Sequence, residues 1–492
     1  MPIKSDIPAV EVANESLANR FFASLWQFAV KSPTQLAFIN GKNESDCVSF
    51  QQLFVHAHSV ASFLDSINVG YKDVVVVVLP NCWQYAAIFG GTILQGGAIS
   101  GASPAYTHYE LKRQFVDCSC KLVFCADSNL EQVEKAAKSS GTVKTIVVVP
   151  NLSSKTKNNN YAQGIITMDK VLQLQPNFVK QRPKIVPQKD LVFLPYSSGT
   201  TGPPKGVMIS HTNLGTMINI LEGYTKHSIE PYLGVQPAGP QHELLVLPMY
   251  HVFGFGVTLS NLLQGSTTIF LRNFEERPFL QCIQKYKISK LRIVPPILLL
   301  LAKSPVVAEY DLSSVKLVMS GAASAGKELC EEVINRLPHI QLIGQGFGMS
   351  ELSLASHSLV LTKKNFPASG KLLPNMEAKI VCRISRKELS RGQKGELMIR
   401  GPTVMLGYLN KPQATAETID NEGWLKTGDI GYVDQEGFLY IVDRLKELIK
   451  VKGFQVAPAE LEDLLLSHPC IRDCAVIGIP DSKAEKFLKH LL

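Results

Sequence analysis

The sequence predicts an α/β protein with more than one domain, and three observations carry this prediction. At 492 residues the chain is too long for one compact core. Hydrophobic residues make up 45% of it and charged residues 19%, as is typical of globular rather than disordered chains. Before residue 196, short apolar runs alternate with segments of helical periodicity, an order typical of parallel strands joined by helices. We therefore expect layered α/β sheets in the N-terminal part.

Local pattern predicts the individual elements of this part. They are a buried strand over 74–79, a helix over 83–94, and strands over 122–125 and 145–149. Residues 74–99 form the most hydrophobic stretch, but Pro80, Asn81 and several glycines interrupt it. This stretch therefore predicts a strand, a loop and a helix rather than a membrane span. Polar composition predicts an exposed loop over 151–164, and three prolines predict another over 231–241.

From Leu397 onward the pattern changes to short strands separated by Gly and Asp turns. Residues 431–442 predict a hairpin that turns at 434–437. Beyond it, apolar residues at helical spacing predict an amphipathic helix over 459–468, and an apolar run predicts a strand over 474–479.

Residues 196–206 are the strongest functional signal in the chain. They read YSSGTTGPPKG and follow an apolar strand, with helix-capping residues from Ser210 onward. Glycines allow the backbone to approach a ligand closely, hydroxyls and amides donate to phosphate oxygens, and Lys205 supplies a positive charge. A strand, a loop and a helix in this order suit a polyphosphate. The alternative is a solvated linker, which the density of phosphate-binding groups disfavours.

A second glycine-rich segment, residues 321–327, fits the spacing of a Walker loop. Glu328 follows it where that motif requires a hydroxyl that binds the metal. Because a carboxylate there would repel phosphate, we interpret the match as accidental.

Further motifs follow in a fixed order. They read PMYHVFG at 248–254, GAA at 321–323, QGFGMSE at 345–351, Gly-Pro at 401–402, GWLKTGD at 423–429, and Asp443-Arg444 continuing to Glu460. Together with residues 196–206, they resemble the AMP-forming adenylating superfamily, which includes acyl-CoA synthetases, 4-coumarate:CoA ligases, firefly luciferases and peptide-synthetase adenylation domains. Residues 450–460, KVKGFQVAPAE, are most similar to the 4-coumarate:CoA ligase and luciferase-related branch.

The resemblance implies a fold and a reaction. The implied fold is a large AMP-binding domain of layered α/β sheets with a small β-barrel-like region over 1–442, a hinge at 443–446, and a truncated α+β lid domain over 447–492. In the implied reaction, a fatty or aromatic acid attacks the α-phosphate of ATP, and the resulting acyl-AMP passes its acyl group to the thiol of coenzyme A. The implied cofactors are ATP, Mg²⁺ and coenzyme A.

Site residues are assigned by the resemblance alone. The implied catalytic residues are Lys205, His251, Glu351 and Lys450, with Glu351 holding Mg²⁺. The implied nucleotide and coenzyme contacts are Ser197, Ser198, Gly199, Thr200, Thr201, Gly202, Lys205, Gly321, Ala322, Gln345, Gly346, Phe347, Gly348, Ser350, Asp429, Arg444, Lys446, Lys450, Lys452, Gly453 and Gln455.

These residues divide by the ligand group they would contact. Residues 197–205 would cradle the β- and γ-phosphates, Phe347 and residues 321–323 would lie against adenine, and Asp429 would accept both ribose hydroxyls beside Arg444. The contacts implied elsewhere are Lys446, Lys450 and Gln455 on the adenylate, Lys452 and Gly453 in the coenzyme A tunnel, and His251 at the gate of the acyl channel.

Each assignment has a structural alternative. Glu351 could be a first-turn helix acid after a Ser350 cap, Phe347 a core aromatic, and His251 a structural histidine. A Thr-Gly-Asp sequence such as that ending at Asp429 is usually a turn, and the C-terminal lysines could form a solvated basic face.

Three positions bear on the substrate. Phe253 replaces a tyrosine common in coumarate ligases, which favours plain apolar acyl groups over phenols. Residues 248–256 contain no aspartate that could pair with the ammonium of an amino acid. Asn273 stands where relatives often carry a lysine for the coenzyme A phosphate, which lowers the expected coenzyme affinity.

The resemblance runs to about residue 481. Relatives continue to a Pro-Lys-x-x-x-Gly-Lys segment whose lysine stabilises the adenylation transition state, and residues 482–492 do not contain it. We expect adenylation slowed by more than the factor of about 10²–10³ that follows from losing one charge donor, partly retained thioester formation, and an unpaired edge on the strand at 474–479. The alternatives are a non-catalytic isoform that binds nucleotide or acyl-adenylate, and a luciferase-like oxygenase.

Charge and targeting signals restrict the remaining possibilities. A net charge of +8, spread along the chain, suits anionic small molecules and does not indicate a nucleic-acid partner. Ten cysteines in mostly apolar surroundings and a polar N-terminus predict a reducing compartment, by default the cytoplasm. The final His490-Leu491-Leu492 is not a peroxisomal tripeptide of the Ser-Lys-Leu type.

Overall fold

The computed structural model describes residues 2–150, 152, 161, 164–197, 203–233, 241–359, 366–444, 449–451, 454–456, 461–462, 465, 471, 474–481 and 485–491. The α-helices given for these residues are α1 (Leu17–Lys31), α2 (Phe50–Ser66), α3 (Trp83–Leu94), α4 (His108–Asp117), α5 (Leu130–Ser140), α6 (Met168–Leu172), α7 (His211–Tyr224), α8 (Glu230–Leu233), α9 (Val252–Leu263), α10 (Glu276–Tyr286), α11 (Pro295–Lys303), α12 (Lys327–Arg336) and α13 (Pro412–Thr418).

The strands are β1 (Ile3–Lys4), β2 (Leu36–Asn40), β3 (Asn43–Ser49), β4 (Val74–Val78), β5 (Ala98–Gly101), β6 (Leu122–Ala126), β7 (Thr145–Val149), β8 (Ile166–Thr167), β9 (Leu191–Phe193), β10 (Tyr196–Ser197), β11 (Lys205–Ser210), β12 (His242–Leu245), β13 (Thr267–Phe270), β14 (Lys290–Ile293), β15 (Leu317–Ser320), β16 (Leu342–Gln345), β17 (His357–Ser358), β18 (Lys371–Leu372), β19 (Glu377–Val381), β20 (Gly395–Arg400), β21 (Gly407–Tyr408), β22 (Leu425–Val433), β23 (Leu439–Arg444), β24 (Ile449–Val451), β25 (Phe454–Val456), β26 (Ala475–Asp481) and β27 (Glu485–Leu491).

The largest sheet has the order β10-β11-β9-β5-β4-β6-β7-β8, and β21 pairs with β11. From β9 to β8 its strands run parallel. In β4, Val75 and Val77 belong to one buried apolar cluster, whereas Val76 and Val78 belong to another. Both faces of this strand are therefore covered, which explains its unbroken run of valines. The predicted strands at β4, β6 and β7 and the predicted helix α3 are confirmed, with ends within one residue of those predicted.

A smaller parallel sheet has the order β14-β15-β16. Its register aligns Ile293, Ser320 and Gln345, so the three strands end at the same edge. In open α/β sheets, ligands bind where parallel strands reach their carboxyl ends. The residues that follow β15 and β16 are those of the GAA and QGFGMSE motifs.

The C-terminal part of the large domain is a five-stranded antiparallel sheet, β1-β19-β20-β22-β23. It occupies the place of the expected barrel-like region, and in the described residues its pairing does not close from β23 back to β1. The predicted hairpin is confirmed, because β22 and β23 pair antiparallel across a turn in which Gly437 N–H donates to the Asp434 carbonyl. Of the predicted hinge, Asp443 and Arg444 lie in β23, and residues 445–446 fall outside the described residues.

The final sheet corrects one prediction. The strand predicted at 474–479 is confirmed as β26, and the expectation of an unpaired edge is wrong for one of its two edges only, because β26 ends the sheet and its other edge has no partner strand in the described residues. Strand β27 pairs with β26 over seven residue pairs and also meets β24, giving the order β25-β24-β27-β26. A neighbouring segment in the chain thus supplies the backbone partners that an exposed strand edge would lack.

The remaining predictions are partly outside the described residues. Leu152, in the loop predicted to be exposed at 151–164, is buried, and its carbonyl accepts a hydrogen bond from Arg272. The loop predicted at 231–241 is wrong at its start, where residues 231–233 continue helix α8. Of the predicted helix at 459–468, the structure describes only residues 461, 462 and 465, which are helical. No helix in the described part of the chain combines the length and hydropathy needed to cross a membrane.

Candidate active site

The two ends of the glycine-rich segment meet in an antiparallel pair of strands. Strand β10 aligns Ser197 with Lys205 and Tyr196 with Gly206 on β11. The predicted order of strand, loop and helix is therefore incomplete, because a further strand, β11, comes directly before helix α7. This helix begins at the predicted cap, because the Ser210 hydroxyl accepts from Asn213 N–H. Five predicted contacts within the segment lie outside the described residues: Ser198, Gly199, Thr200, Thr201 and Gly202.

The carboxylate of Glu351 lies buried beside this pair of strands. It belongs to a single 3₁₀ turn, Ser350–Leu352, and the residue is 4% exposed. Ser197 Oγ donates to Glu351 Oε1 at 2.9 Å, and Tyr408 Oη donates to the same oxygen at 2.8 Å. The alternative in which Ser350 caps the helix is wrong, because Met349 occupies the cap position and Ser350 lies inside the turn.

Tyr408 connects Glu351 to Lys205. Strand β21 places Tyr408 opposite Val207 on β11, and Lys205 Nζ lies 4.8 Å from the centroid of the tyrosine ring. Burial, and secondarily the charge of Glu351, raise the pKa of Tyr408, so its hydroxyl keeps the proton that it donates. Sequence reasoning missed this residue. The available signal was its place six residues after Pro402 of the Gly-Pro motif, directly after Gly407.

The chemistry of this cluster fits Mg²⁺. No Lys, Arg or His of the described residues forms an ion pair with Glu351, so its buried carboxylate has hydroxyl partners but no cationic one there. The described residues also contain no group of three His, Cys, Asp or Glu that could enclose a metal. Mg²⁺ is commonly held by one or two carboxylates together with substrate phosphates rather than by a full protein cage.

The glycine motifs form one edge beyond β15 and β16. Gly321 N–H donates to the Ile293 carbonyl and Gly346 N–H to the Ser320 carbonyl, each at 3.2 Å. At Gly348, an added Cβ would lie 1.9 Å from the Leu354 carbonyl oxygen, so the backbone there approaches more closely than any side chain allows. Ala322 adopts a φ of 71°, and its side chain is exposed.

Two predicted nucleotide contacts have different surroundings. Phe347 is half-buried, and its backbone pairs with His357, whose ring lies edge-on at a centroid distance of 6.2 Å. One face of the phenylalanine could therefore meet a ligand. Gln345 instead uses its amide internally, accepting from Ala325 N–H and donating to the Ala325 and Phe366 carbonyls. We interpret Gln345 as a residue that shapes this edge.

The PMYHVFG motif lies against the same edge. His251 is the N-cap of α9, and its Nδ1 accepts from Phe253 N–H at 3.3 Å. Partial desolvation lowers the pKa of His251, which favours the neutral ring with its proton on Nε2. The Phe253 ring lies 3.1 Å from the position of a Cβ on Gly321. His251 therefore has a capping role, and Phe253 joins its motif to the GAA motif.

The other predicted residues lie in the C-terminal sheets. Asp429 is buried on β22 and lies opposite Arg444 of β23, and Lys450 on β24 lies opposite Gln455 on β25. Lys446, Lys452 and Gly453 lie outside the described residues. The structure thus brings Ser197, Lys205 and Glu351 together around Tyr408, and places Asp429 on a separate antiparallel sheet.

Comparison with known proteins decides the lineage of the chain. A family model for AMP-binding enzymes matches residues 25–409. The chain belongs to this family. A second finding places it among its relatives: the 4-coumarate–CoA ligase from Vanilla planifolia is 38% identical over 493 residues, which cover 98% of this chain and 85% of the relative.

Two solved structures are similar to this chain. ATP-bound MatB from Rhodopseudomonas palustris has a TM-score of 0.82 at 26% identity, over 97% of this chain and 88% of that one. The luciferase-like enzyme from the nonluminescent mealworm Zophobas morio has a TM-score of 0.78 at 23% identity, over 91% and 100% of the two chains, which shows the fold alone. The predicted lineage, α/β architecture and class of ATP-dependent, AMP-forming ligases are confirmed at the level of the family.

Proposed function

We propose that this chain activates a fatty or aromatic carboxylic acid with ATP and transfers the acyl group to coenzyme A. In the first step a carboxylate oxygen bonds to the α-phosphorus, the bond from that phosphorus to the bridging oxygen breaks, and pyrophosphate leaves. In the second step the coenzyme thiol, having lost its proton to solvent, attacks the acyl carbon and AMP leaves. The relatives named 4-coumarate–CoA ligase support the substrate class.

The arrangement of Ser197, Lys205 and Glu351 is the observation that carries this proposal. Ser197, at one end of a hydroxyl-rich segment, contacts a buried carboxylate, and Lys205, at the other end, lies opposite Ser197 and against the ring of Tyr408, which contacts the same carboxylate. A triphosphate bound there would have hydroxyl donors and a positive charge from the protein. A Mg²⁺ ion at Glu351 would neutralise charge on the departing pyrophosphate. We therefore assign residues 197–205 to the β- and γ-phosphates.

The acyl group belongs beside Phe253 in this proposal. Its apolar ring packs against Gly321, at the edge where the GAA motif would contact adenine, so an acid bound there would lie close to the nucleotide. Proximity of the carboxylate to the α-phosphate is the main contribution an enzyme can make to this reaction. His251, neutral and held at the start of α9, would contact the carboxylate through Nε2 without adding a charge.

Three residues of the C-terminal sheets complete the assignment. Lys450 and Gln455, paired on β24 and β25, would meet the adenylate, and Asp429 would accept the ribose hydroxyls.

Acid-dependent release of pyrophosphate from ATP tests the proposal. We expect release with at least one member of a panel of fatty and aromatic acids, and a loss of about 10²–10³ in rate for Glu351→Gln, which removes the charge and keeps the shape. The matched control is Glu396→Gln, because Glu396 is also a buried carboxylate and its partner is Arg386. ATP binding without release for any acid would indicate a non-catalytic nucleotide-binding protein instead, and light from supplied luciferyl-adenylate would indicate an oxygenase.

A further inference from the structure

Tyr408 occupies a position that the proposed reaction does not yet use. It lies on the two-residue strand β21 and is 7% exposed. Backbone hydrogen bonds from the residues before and after this strand join it to β11: Leu406 N–H donates to the Met208 carbonyl, and Leu409 N–H to the Gly206 carbonyl. The position of the ring is therefore set by the strand that carries Lys205.

The segment before β21 is also bonded to the turn that carries Glu351. Met405 N–H donates to the Glu351 carbonyl at 2.9 Å, and the Tyr408 hydroxyl donates to the Glu351 carboxylate at 2.8 Å. Backbone and side chain of Glu351 are thus both held by residues 405–408. Because Ser197 and Tyr408 both donate to Oε1, we expect Oε2 to be the oxygen that turns toward a cation.

The ring of Tyr408 contacts a second charged group. The ammonium of Lys205 lies 4.8 Å from the ring centroid, within the range of a cation–π interaction. One side chain therefore contacts both the carboxylate and the lysine assigned to the polyphosphate. Its edge contacts the anion through the hydroxyl, and its face contacts the cation.

We propose that Tyr408 is a positioning residue that orients Glu351 for Mg²⁺ through its hydroxyl and holds Lys205 toward the phosphates through its ring. This inference rests on the proposed function. The two contacts hold the Glu351 carboxylate and the Lys205 ammonium apart. A direct ion pair between these groups would make both unavailable to the ligand. Hydrogen-bond partners of metal ligands commonly act in this way, and their loss lowers metal affinity by about 10–100-fold.

Binding of Mn²⁺, measured by electron paramagnetic resonance with ATP present and no acid, tests the hydroxyl contact. Tyr408→Phe should weaken Mn²⁺ binding by about 10–100-fold, while ATP affinity in EDTA stays within about twofold because the ring remains. Tyr408→Leu should in addition lower ATP affinity in EDTA by about two- to fivefold, the contribution of the cation–π contact. Neither readout requires turnover.

Tyr224→Phe is the matched control. Tyr224 is also a buried tyrosine, and its hydroxyl donates to the Leu359 carbonyl at 2.7 Å. This variant should lose comparable stability and bind Mn²⁺ as the unmodified protein does.

The outcomes separate this inference from the proposed function. If the unmodified protein binds Mn²⁺ with ATP and the Tyr408 variants bind equally well, the positioning role is overturned and the proposed function stands. If the unmodified protein binds no Mn²⁺ with ATP, the proposed function fails and the inference fails with it.

Discussion

At the residue scale, orientation rather than charge alone distinguishes Glu351 from an ordinary surface carboxylate. Two hydroxyls donate to one of its oxygens, and a backbone bond holds its turn. A side chain held in this way can meet a cation and phosphate oxygens without first losing rotational freedom.

A second buried residue makes the stability of the protein depend on pH. His211 begins α7 and is fully buried, and its Nδ1 accepts from Leu17 N–H at 3.1 Å, which ties α1 to α7. Burial lowers the pKa of His211 from 6.5 to about 4, although the nearby Asp190 acts in the opposite direction. The folded protein therefore keeps this ring neutral at a pH where the unfolded chain protonates it.

We predict that the free energy of unfolding falls as the pH drops from about 6.5 to about 4, because only the unfolded state binds the proton in that window. The contribution of His211 is about 3 kcal/mol over the full window. His211→Asn, which keeps an acceptor for Leu17 N–H, should show a shallower decline in urea titrations between these pH values. Equal pH dependence in both proteins would contradict the assignment.

Sequence predicted the residues of this site unevenly, for a physical reason. Glu351, Lys205 and Ser197 belong to segments whose composition or motif identifies them without knowledge of contacts. Tyr408 acts through a strand pairing with β11, some 200 residues away in the chain, and no local pattern encodes that pairing. The bonds from Gln345 to the Ala325 and Phe366 backbone were hidden for the same reason.

At the element scale, the periodicity and polarity of the sequence predicted where the strands lie better than they predicted which strands pair. The all-valine strand β4 and the β22–β23 hairpin follow from burial on both faces and from a Gly-containing turn. Strand β27 mixes charged and apolar residues, so its sequence did not indicate a partner for β26. Pairing through the backbone does not require an apolar pattern, because the N–H and C=O groups supply the bonds.

Lys489 faces Ile477 in the register of β27 and β26, which allows this pairing to be tested. Lys489→Pro removes a backbone N–H and disfavours the pairing of β27 with β26. We predict faster hydrogen–deuterium exchange over residues 475–481, measured by mass spectrometry. Lys489→Ala, which keeps the N–H, should leave exchange there unchanged. Equal exchange in the proline variant would show that β27 does not protect β26.

At the scale of the whole molecule, separate sheets contribute residues to the proposed site. The large sheet supplies Ser197 and Lys205, the β14–β16 sheet supplies the edge with Gly321 and Gly346, and Glu351 follows that edge closely in the chain. The layered α/β architecture could be predicted from alternating elements, and the lineage from ordered motifs. The relative placement of the sheets could not, because it depends on the burial of residues distant in sequence, such as Val75 and Leu397 in one apolar cluster.

Transfer of an isotope from the acid to AMP tests the central claim most directly. The protein would be incubated with ATP, coenzyme A and a carboxylic acid labelled with ¹⁸O in both oxygens, and the released AMP examined by mass spectrometry. Because a carboxylate oxygen bonds to the α-phosphorus and stays there when the thiol displaces the acyl group, we predict AMP that carries one ¹⁸O. Release of unlabelled AMP, or label in phosphate with ADP as the nucleotide product, would contradict the account.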